Sequence, residues 1–218
     1  MEKLNVIKVA GGASLKVAPD YNKIRIEVSR VFTTNEEAYE VAKQNSLAII
    51  AALESVKLDG SLAKTHTFDV SENTKPKYEK GRYVGYVKNG YDLRQVLFIE
   101  MPINNSILNT LTKEIYEHVP FVEIKFDTFV SEPRQHKLKA LSLAVEDAKE
   151  KAEIIASSLG CKLGAIVEAN YGVGDVRTYY DDCDCECSIG SAPGAALEFT
   201  GQEQEFEQSV IITWQLVN

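Results

Sequence analysis

The segment Ala140-Leu141-Ser142-Leu143-Ala144-Val145-Glu146-Asp147-Ala148-Lys149-Glu150-Lys151-Ala152-Glu153-Ile154-Ile155-Ala156-Ser157-Ser158-Leu159-Gly160 is the most regular stretch of the 218-residue chain. Leu138, Leu141, Val145, Ala148, Ala152, Ile155 and Leu159 recur at alternating steps of three and four. That spacing predicts one apolar stripe of about six helical turns. Ser131 is the predicted N-cap, Pro133 suits the first turn, and Gly160 suits the position that ends a helix. Asp147 and Lys151 stand one turn apart and can pair on the wet face. A coiled-coil seam would carry the same stripe, but strands flank this helix, so it reads as a helix laid on a sheet.

Working outward, Val6–Val17 and Ile24–Phe32 read as strands joined at the turn-type sequence Ala18-Pro19-Asp20-Tyr21-Asn22. Gly11-Gly12 interrupts the first and marks an expected bulge or bend. Thr34 and Glu37 have capping-box spacing and open a helix through Ala38, Val41, Ala42, Ile49, Ala52, Leu53 and Val56, ending near Asp59-Gly60. Strands follow at Ala63–Ser71 and Tyr91–Met101, then a helix capped by Asn104 or Asn105 and ending before Pro120. Further strands read at Phe121–Val130, Leu163–Tyr171 and Phe206–Leu216, the last with Phe206, Gln208, Val210, Ile212, Trp214 and Leu216 on one face. The reading is a single α+β domain over residues 1–218. An antiparallel-rich mixed sheet carries one long and two shorter helices, and residues 174–205 form a long acidic, Cys- and Gly-rich loop.

The composition is that of an ordinary globule, 44% hydrophobic and 26% charged, which excludes collagen-like, disordered and disulfide-scaffold classes. Neither a membrane-spanning run nor a signal-peptide core is visible, so a cytoplasmic chain is expected. The net charge of −8 is local: residues 174–207 hold nine acids against the single base Arg177, and the remainder is neutral. That balance argues against a general nucleic-acid surface. One stretch runs the other way. Lys75, Lys77, Lys80, Arg82 and Lys88 oppose only Glu79, and Tyr78, Tyr83 and Tyr86 are interleaved with them. This arm reads as a solvated hairpin tip, as a single-strand nucleic-acid contact, or as a surface for the acidic segment of a neighbouring copy.

Candidate chemistry is sparse. Cys183, Cys185 and Cys187 alternate with Asp184 and Glu186; if extended, all three sulfurs share a side and could bind Zn or Cu(I). Against this, the paired C-x₂₋₄-C spacing of zinc sites is missing, and neighbouring carboxylates disfavour the thiolate. Cys161 is expected to be a small buried hydrophobe. His66, His118 and His136 lie on separate elements without ligand spacing. Gly190-Ser191-Ala192-Pro193-Gly194 lacks the order of a nucleophile elbow, and Gly172-Val173-Gly174 lacks the third glycine and helix of a dinucleotide loop.

The pieces resemble the SIMPL-domain (YggE-like) family. Gly11-Gly12 with Ala18-Pro19-Asp20 resembles its first strand and "PD" turn, and Gly85-Tyr86 its "GY" signature. The long helix from Ala140 to Glu153 is similar to its "AL..AV.DA+.KAE" block, continued by Leu159-Gly160 and Leu163-Gly164. Val87-Lys88-Asn89-Gly90, after the GY pair, looks like an insertion or altered turn. The resemblance implies long helices on an antiparallel-rich sheet and no established enzymatic activity; no cofactor is expected, apart from the Zn or Cu that the cysteines could bind. It also implies protein binding or homo-oligomerisation, with links to oxidative stress. The competing expectations are a metal-binding or redox module at Cys183–Cys187, and a small-molecule enzyme or carrier with a site between the sheet and the long helix.

Overall fold

Strands β1 (Val6–Val17) and β2 (Tyr21–Phe32) follow one another across Ala18-Pro19-Asp20, yet they do not pair. Both ladder edges of β2 are taken, by β4 (Arg82–Pro102) and β5 (Val122–Phe129). β1 finds its partner at the far end of the sequence, in β7 (Gln204–Val217), through an unbroken register from Val6↔Gln215 to Val17↔Gln204. The strands therefore divide between two antiparallel sheets, and with three helices they make an α+β protein. The structure, a computed structural model, describes residues 5–172 and 201–217. These fall into two units, one made of residues 20–129 with Gly201 and the other drawn from residues 5–19, 130–172 and 202–217.

The unit from residue 20 to 129 runs β2, α1 (Asn35–Ser55), a short 3-10 turn (Gly60–Leu62), β3 (Lys64–Glu79), β4, α2 (Asn105–His118) and β5. Its sheet order is β3-β4-β2-β5, the split β-α-β arrangement. Alternation along β2 buries Ile24, Ile26 and Val28 against Ile49 and Leu53 of α1 and Leu108, Leu111 and Ile115 of α2. The other face stays wet, and there Glu27 meets Arg25 at 2.6 Å and Arg94 at 3.0 Å. Thr34 caps α1 by accepting the Glu37 N–H at 3.2 Å, as the spacing predicts. The helix stops at Ser55, short of Asp59-Gly60, because Asp59 instead caps the 3-10 turn through the Ser61 N–H at 2.8 Å. Asn104 caps α2 by accepting from the Ile107 N–H at 3.1 Å.

The other unit lays α3 (Pro133–Ser158) on a sheet of order β1-β7-β6, with β6 (Lys162–Tyr171) at one edge. Here the sequence expectations need three corrections. The N-cap is Glu132 rather than Ser131, because Pro133 already occupies the first turn. Gly11-Gly12 is neither bulge nor bend, since the β1–β7 register runs through it without a shift. The buried face of α3 is not the stripe of large residues: Leu138, Val145, Ile155 and Leu159 are 55%, 40%, 42% and 64% exposed. What is buried is a row of alanines at steps of four, Ala140, Ala144, Ala148, Ala152 and Ala156.

One contact explains the last two corrections. A Cβ on Gly11 would lie 2.1 Å from the Ala144 carbonyl oxygen and 2.6 Å from the Ala148 Cβ. Helix and strand backbones touch there, so only small side chains fit between them. The bulk of that core comes from the sheet instead, through Val9, Val210, Ile212 and Trp214.

Asp147 fastens the same seam. Its Oδ2 accepts the Gly12 N–H at 2.9 Å and the Lys151 Nζ at 2.7 Å. The Lys151 bond first, and the Gly12 bond second, hold its carboxyl below the ordinary value. A depressed carboxyl stabilises the fold above its unfolded pKa of about 3.9, and that contribution is lost as pH falls through the folded value. Asp147→Asn is therefore expected to lower the urea midpoint at neutral pH and to shrink the drop between neutral pH and about pH 3. Urea titrations of both proteins at the two pH values check this; equal drops would remove the assignment.

Candidate interaction arm

β2 pairs with β4 only through the stretch from Tyr91 to Pro102. Beyond Tyr91, β3 and β4 pair with each other alone, from Asn73↔Gly90 out to Glu79↔Arg82. The result is a two-stranded ribbon about 20 Å long. Its tip is the two-residue loop Lys80-Gly81, with φ of 50° and 78°. Two positive φ values are those of a type I′ turn, whose twist matches that of a hairpin.

Two bulges decide what the ribbon presents. The pairing jumps from Lys77↔Gly85 to Tyr78↔Tyr83, leaving Val84 extra, and from Asn73↔Gly90 to Thr74↔Lys88, leaving Asn89 extra. Gly85 and Gly90, with φ of 129° and 116°, supply the backbone at these points. Each extra residue reverses the alternation of side chains along β4. Tyr83 and Tyr86, three apart, consequently share a face with Tyr78, while Lys75 and Lys77 take the other.

The tyrosine rings meet edge to face, Tyr78 to Tyr83 at 5.9 Å and Tyr83 to Tyr86 at 5.7 Å between centroids. They are 63%, 53% and 69% exposed. Desolvation by its neighbours, and then a hydrogen bond with Tyr86, push the Tyr83 phenol up. Lys88 continues this face up to the second bulge and reaches across it, lying 4.1 Å from the centre of the Tyr91 ring and donating to its hydroxyl at 2.6 Å. On the opposite face Lys77 pairs with Glu79 at 2.7 Å. Thus the bases and aromatics that alternate in the sequence are largely sorted onto two sides in space, and the rings cover one another edge to face. A strand of bases could not stack on those rings while its phosphates met Lys75 and Lys77. The chemistry offered is an amphipathic ribbon with an aromatic side and a cationic side. The altered turn at Val87–Gly90 is the second bulge, where a Cβ on Gly90 would fall 2.2 Å from the Phe32 carbonyl oxygen.

The other candidates separate. Cys183, Cys185 and Cys187 lie outside the described residues. Cys161 is half-buried rather than buried: it follows α3 directly, at the surface, with its sulfur 3.8 Å from the Leu159 carbonyl. His66 meets Phe98 edge-on at 5.1 Å, His136 stacks on Phe206 at 5.6 Å, and the His118 ring lies 2.9 Å from the Glu114 carbonyl oxygen. Each ring thus has a structural partner. Glu114, Glu117 and His118 could bring ligand atoms within 4.8 Å of one another, a grouping the sequence spacing did not suggest. They sit at the open end of α2, where Glu117 already lies 3.7 Å from Lys113. The interface between sheet and long helix is filled by alanines and Trp214, and Gly11 leaves no room there for a methyl group. No helix among the described residues is long and apolar enough to cross a membrane.

The SIMPL family, described as "Protein of unknown function (DUF541)", matches residues 7–214. Among solved structures, the chain is similar to CutA from Synechococcus elongatus PCC7942, at 14% identity and a TM-score of 0.23, over 54% of this chain and 83% of that one. No curated protein matches its sequence.

Proposed function

We propose that this chain, which belongs to the SIMPL family of proteins of unknown function, is a non-enzymatic protein that associates with copies of itself through the tyrosine face of the β3–β4 ribbon. The observation that carries the reading is the row Tyr78, Tyr83 and Tyr86, at least half exposed and aligned by the Val84 bulge. A monomer has no evident use for a bulge that turns three aromatic rings to the same patch of solvent. The cationic side also sits on a chain of net charge −8, so another copy offers it a complementary surface.

Magnitudes bound the strength of the contact. Each ring can bury on the order of 100 Å², about 2–3 kcal/mol at ~25 cal/mol per Å². Three rings therefore supply about 7 kcal/mol, which the loss of translational and rotational freedom, 4 kcal/mol or more, offsets in large part. One ribbon contact should be weak, and a stable assembly should use several.

The experiment is native mass spectrometry and sedimentation of the wild type beside the triple variant Tyr78→Ser, Tyr83→Ser and Tyr86→Ser. The variant is expected to be monomeric at concentrations where the wild type associates, with an unchanged circular-dichroism spectrum. Raising NaCl from about 0.05 to about 0.5 M should weaken the wild-type assembly. A monomeric wild type, or an assembly untouched by the three changes, would overturn the reading.

A further inference from the structure

We propose that the open edge of β6 pairs antiparallel with β6 of a second copy, about a twofold axis at Ala165. Two three-stranded sheets then join into one of six strands. β6 has β7 on one side and, among the described residues, no strand on the other. The ladder to β7 decides what each face of β6 carries. Ile166 stands opposite Trp214, Ala169 opposite Ile212 and Tyr171 opposite Val210, and residues paired across a ladder share a face. The shift of register between Ile166 and Glu168 is what brings these three to one side. Trp214, Ile212 and Val210 are buried against the alanines of α3. Ile166 and Tyr171 share their face, yet both are 62% exposed, because α3 lies chiefly over β1 and β7.

The large residues of α3 point the same way. Leu138 and Val145 lie about 180° and about 160° around the helix from Asp147, at ~100° per residue. The bond from Gly12 to Asp147 marks the flank over β1, so these two stand on the flank toward β6, where both are exposed. On the face away from α3 the strand carries its only two charges, Lys162 opposite Val217 and Glu168 opposite Thr213. Neither enters an ion pair among the described residues. Each stands three residues from Ala165, so a copy paired about that residue sets Lys162 against Glu168 of the second copy, and Glu168 against its Lys162. Opposite charges directly across a ladder attract, and like charges repel. A second copy is thus the complement of this edge. Charges meet on one face, while Ile166, Tyr171, Leu138 and Val145 of both copies fill the gap between the two α3 helices on the other. Those four side chains can bury on the order of 400 Å² per copy, against about 800 Å² for a stable interface. The β6 contact is therefore weak by itself; it uses a surface apart from the ribbon and does not depend on it.

The ribbon contact is removed first, so that the two contacts fail separately. In the full chain carrying Tyr78→Ser, Tyr83→Ser and Tyr86→Ser, sedimentation equilibrium should show dimers as the concentration approaches about 1 mM, the range of a small transient contact. Glu168→Lys added to that chain turns two attractions per dimer into two repulsions and should weaken the dimer about tenfold or more. Lys162→Glu should do the same. The two reversals together exchange the charges, and should return the dimer to within about threefold of its starting affinity. Ile166→Ser should also weaken it about tenfold. Lys162, Ile166 and Glu168 are all exposed, so every variant should keep its circular-dichroism spectrum. Monomers at about 1 mM in the tyrosine variant, beside a wild type that associates, would remove the β6 contact and leave the ribbon reading intact. Single reversals without effect, or a double reversal no better than either single one, would also overturn the proposal.

Discussion

Gly11→Val is expected to destabilise the protein by about 3 kcal/mol or more, the upper range for overpacking a closed interface. The first added carbon would lie 2.1 Å from the Ala144 carbonyl oxygen, an atom of helix backbone that cannot rotate aside. The strand or the whole of α3 must move, and with it the contacts of Ala144, Ala148 and Ala152 on Val9 and Trp214. Gly12→Ala, one residue along, is the control: the nearest atom to its new carbon is the Gln208 carbonyl oxygen at 3.9 Å. Thermal unfolding followed by circular dichroism should show a fall of about 6–12 °C for the first and within about 2 °C of wild type for the second. Similar midpoints for both variants would mean that α3 does not rest on Gly11.

In the other unit the largest effect belongs to Leu53→Ala. Leu53 is fully buried in α1, in the cluster that joins Ile24, Ile26 and Val28 of β2 to Leu108 and Leu111 of α2. Deleting three carbons there leaves a cavity that neighbours on three elements cannot close together, costing about 2–5 kcal/mol. Leu47, on the same helix and 58% exposed, supplies the internal comparison. Leu47→Ala changes the same atoms at the surface and is expected to stay within about 0.5 kcal/mol of wild type. Urea unfolding of the pair, read from the shift of midpoint at constant slope, measures the difference.

Some of this was legible from residues alone and some was not. Period-two alternation marks β2 and the face of β7, because one buried side leaves a plain mark on a strand, and the Ala18-Pro19-Asp20 turn marks the end of β1. The caps at Thr34 and Asn104 were readable because each is a local bond. The buried face of α3 is not legible in its sequence, because a periodic stripe of large residues says which side could be buried and not how near the sheet stands. Gly11 held that information: in a strand, a glycine signals a bulge or a close approach, and only the ladder to β7 separates the two. In the arm, residues alternating along the chain suggested a mixed basic and aromatic surface. The Val84 and Asn89 bulges are set by pairing with β3, which no window within β4 contains.

The pairing of β1 with β7 bears on how the protein is made. A ribosome delivers residues 20–129 as one continuous stretch, so that unit can fold as soon as it has emerged. β1 leaves the tunnel before it, but the strand that completes its ladder, β7, is synthesised only after that whole unit and α3. At about 5–20 residues per second, β1 waits on the order of ten seconds with its backbone donors and acceptors unpaired. During that interval Val6–Val17 is an open strand edge, able to pair with a neighbouring nascent chain. Chaperone dependence during expression should therefore follow the speed at which the stretch between β1 and β7 is translated, rather than the stability of the finished fold.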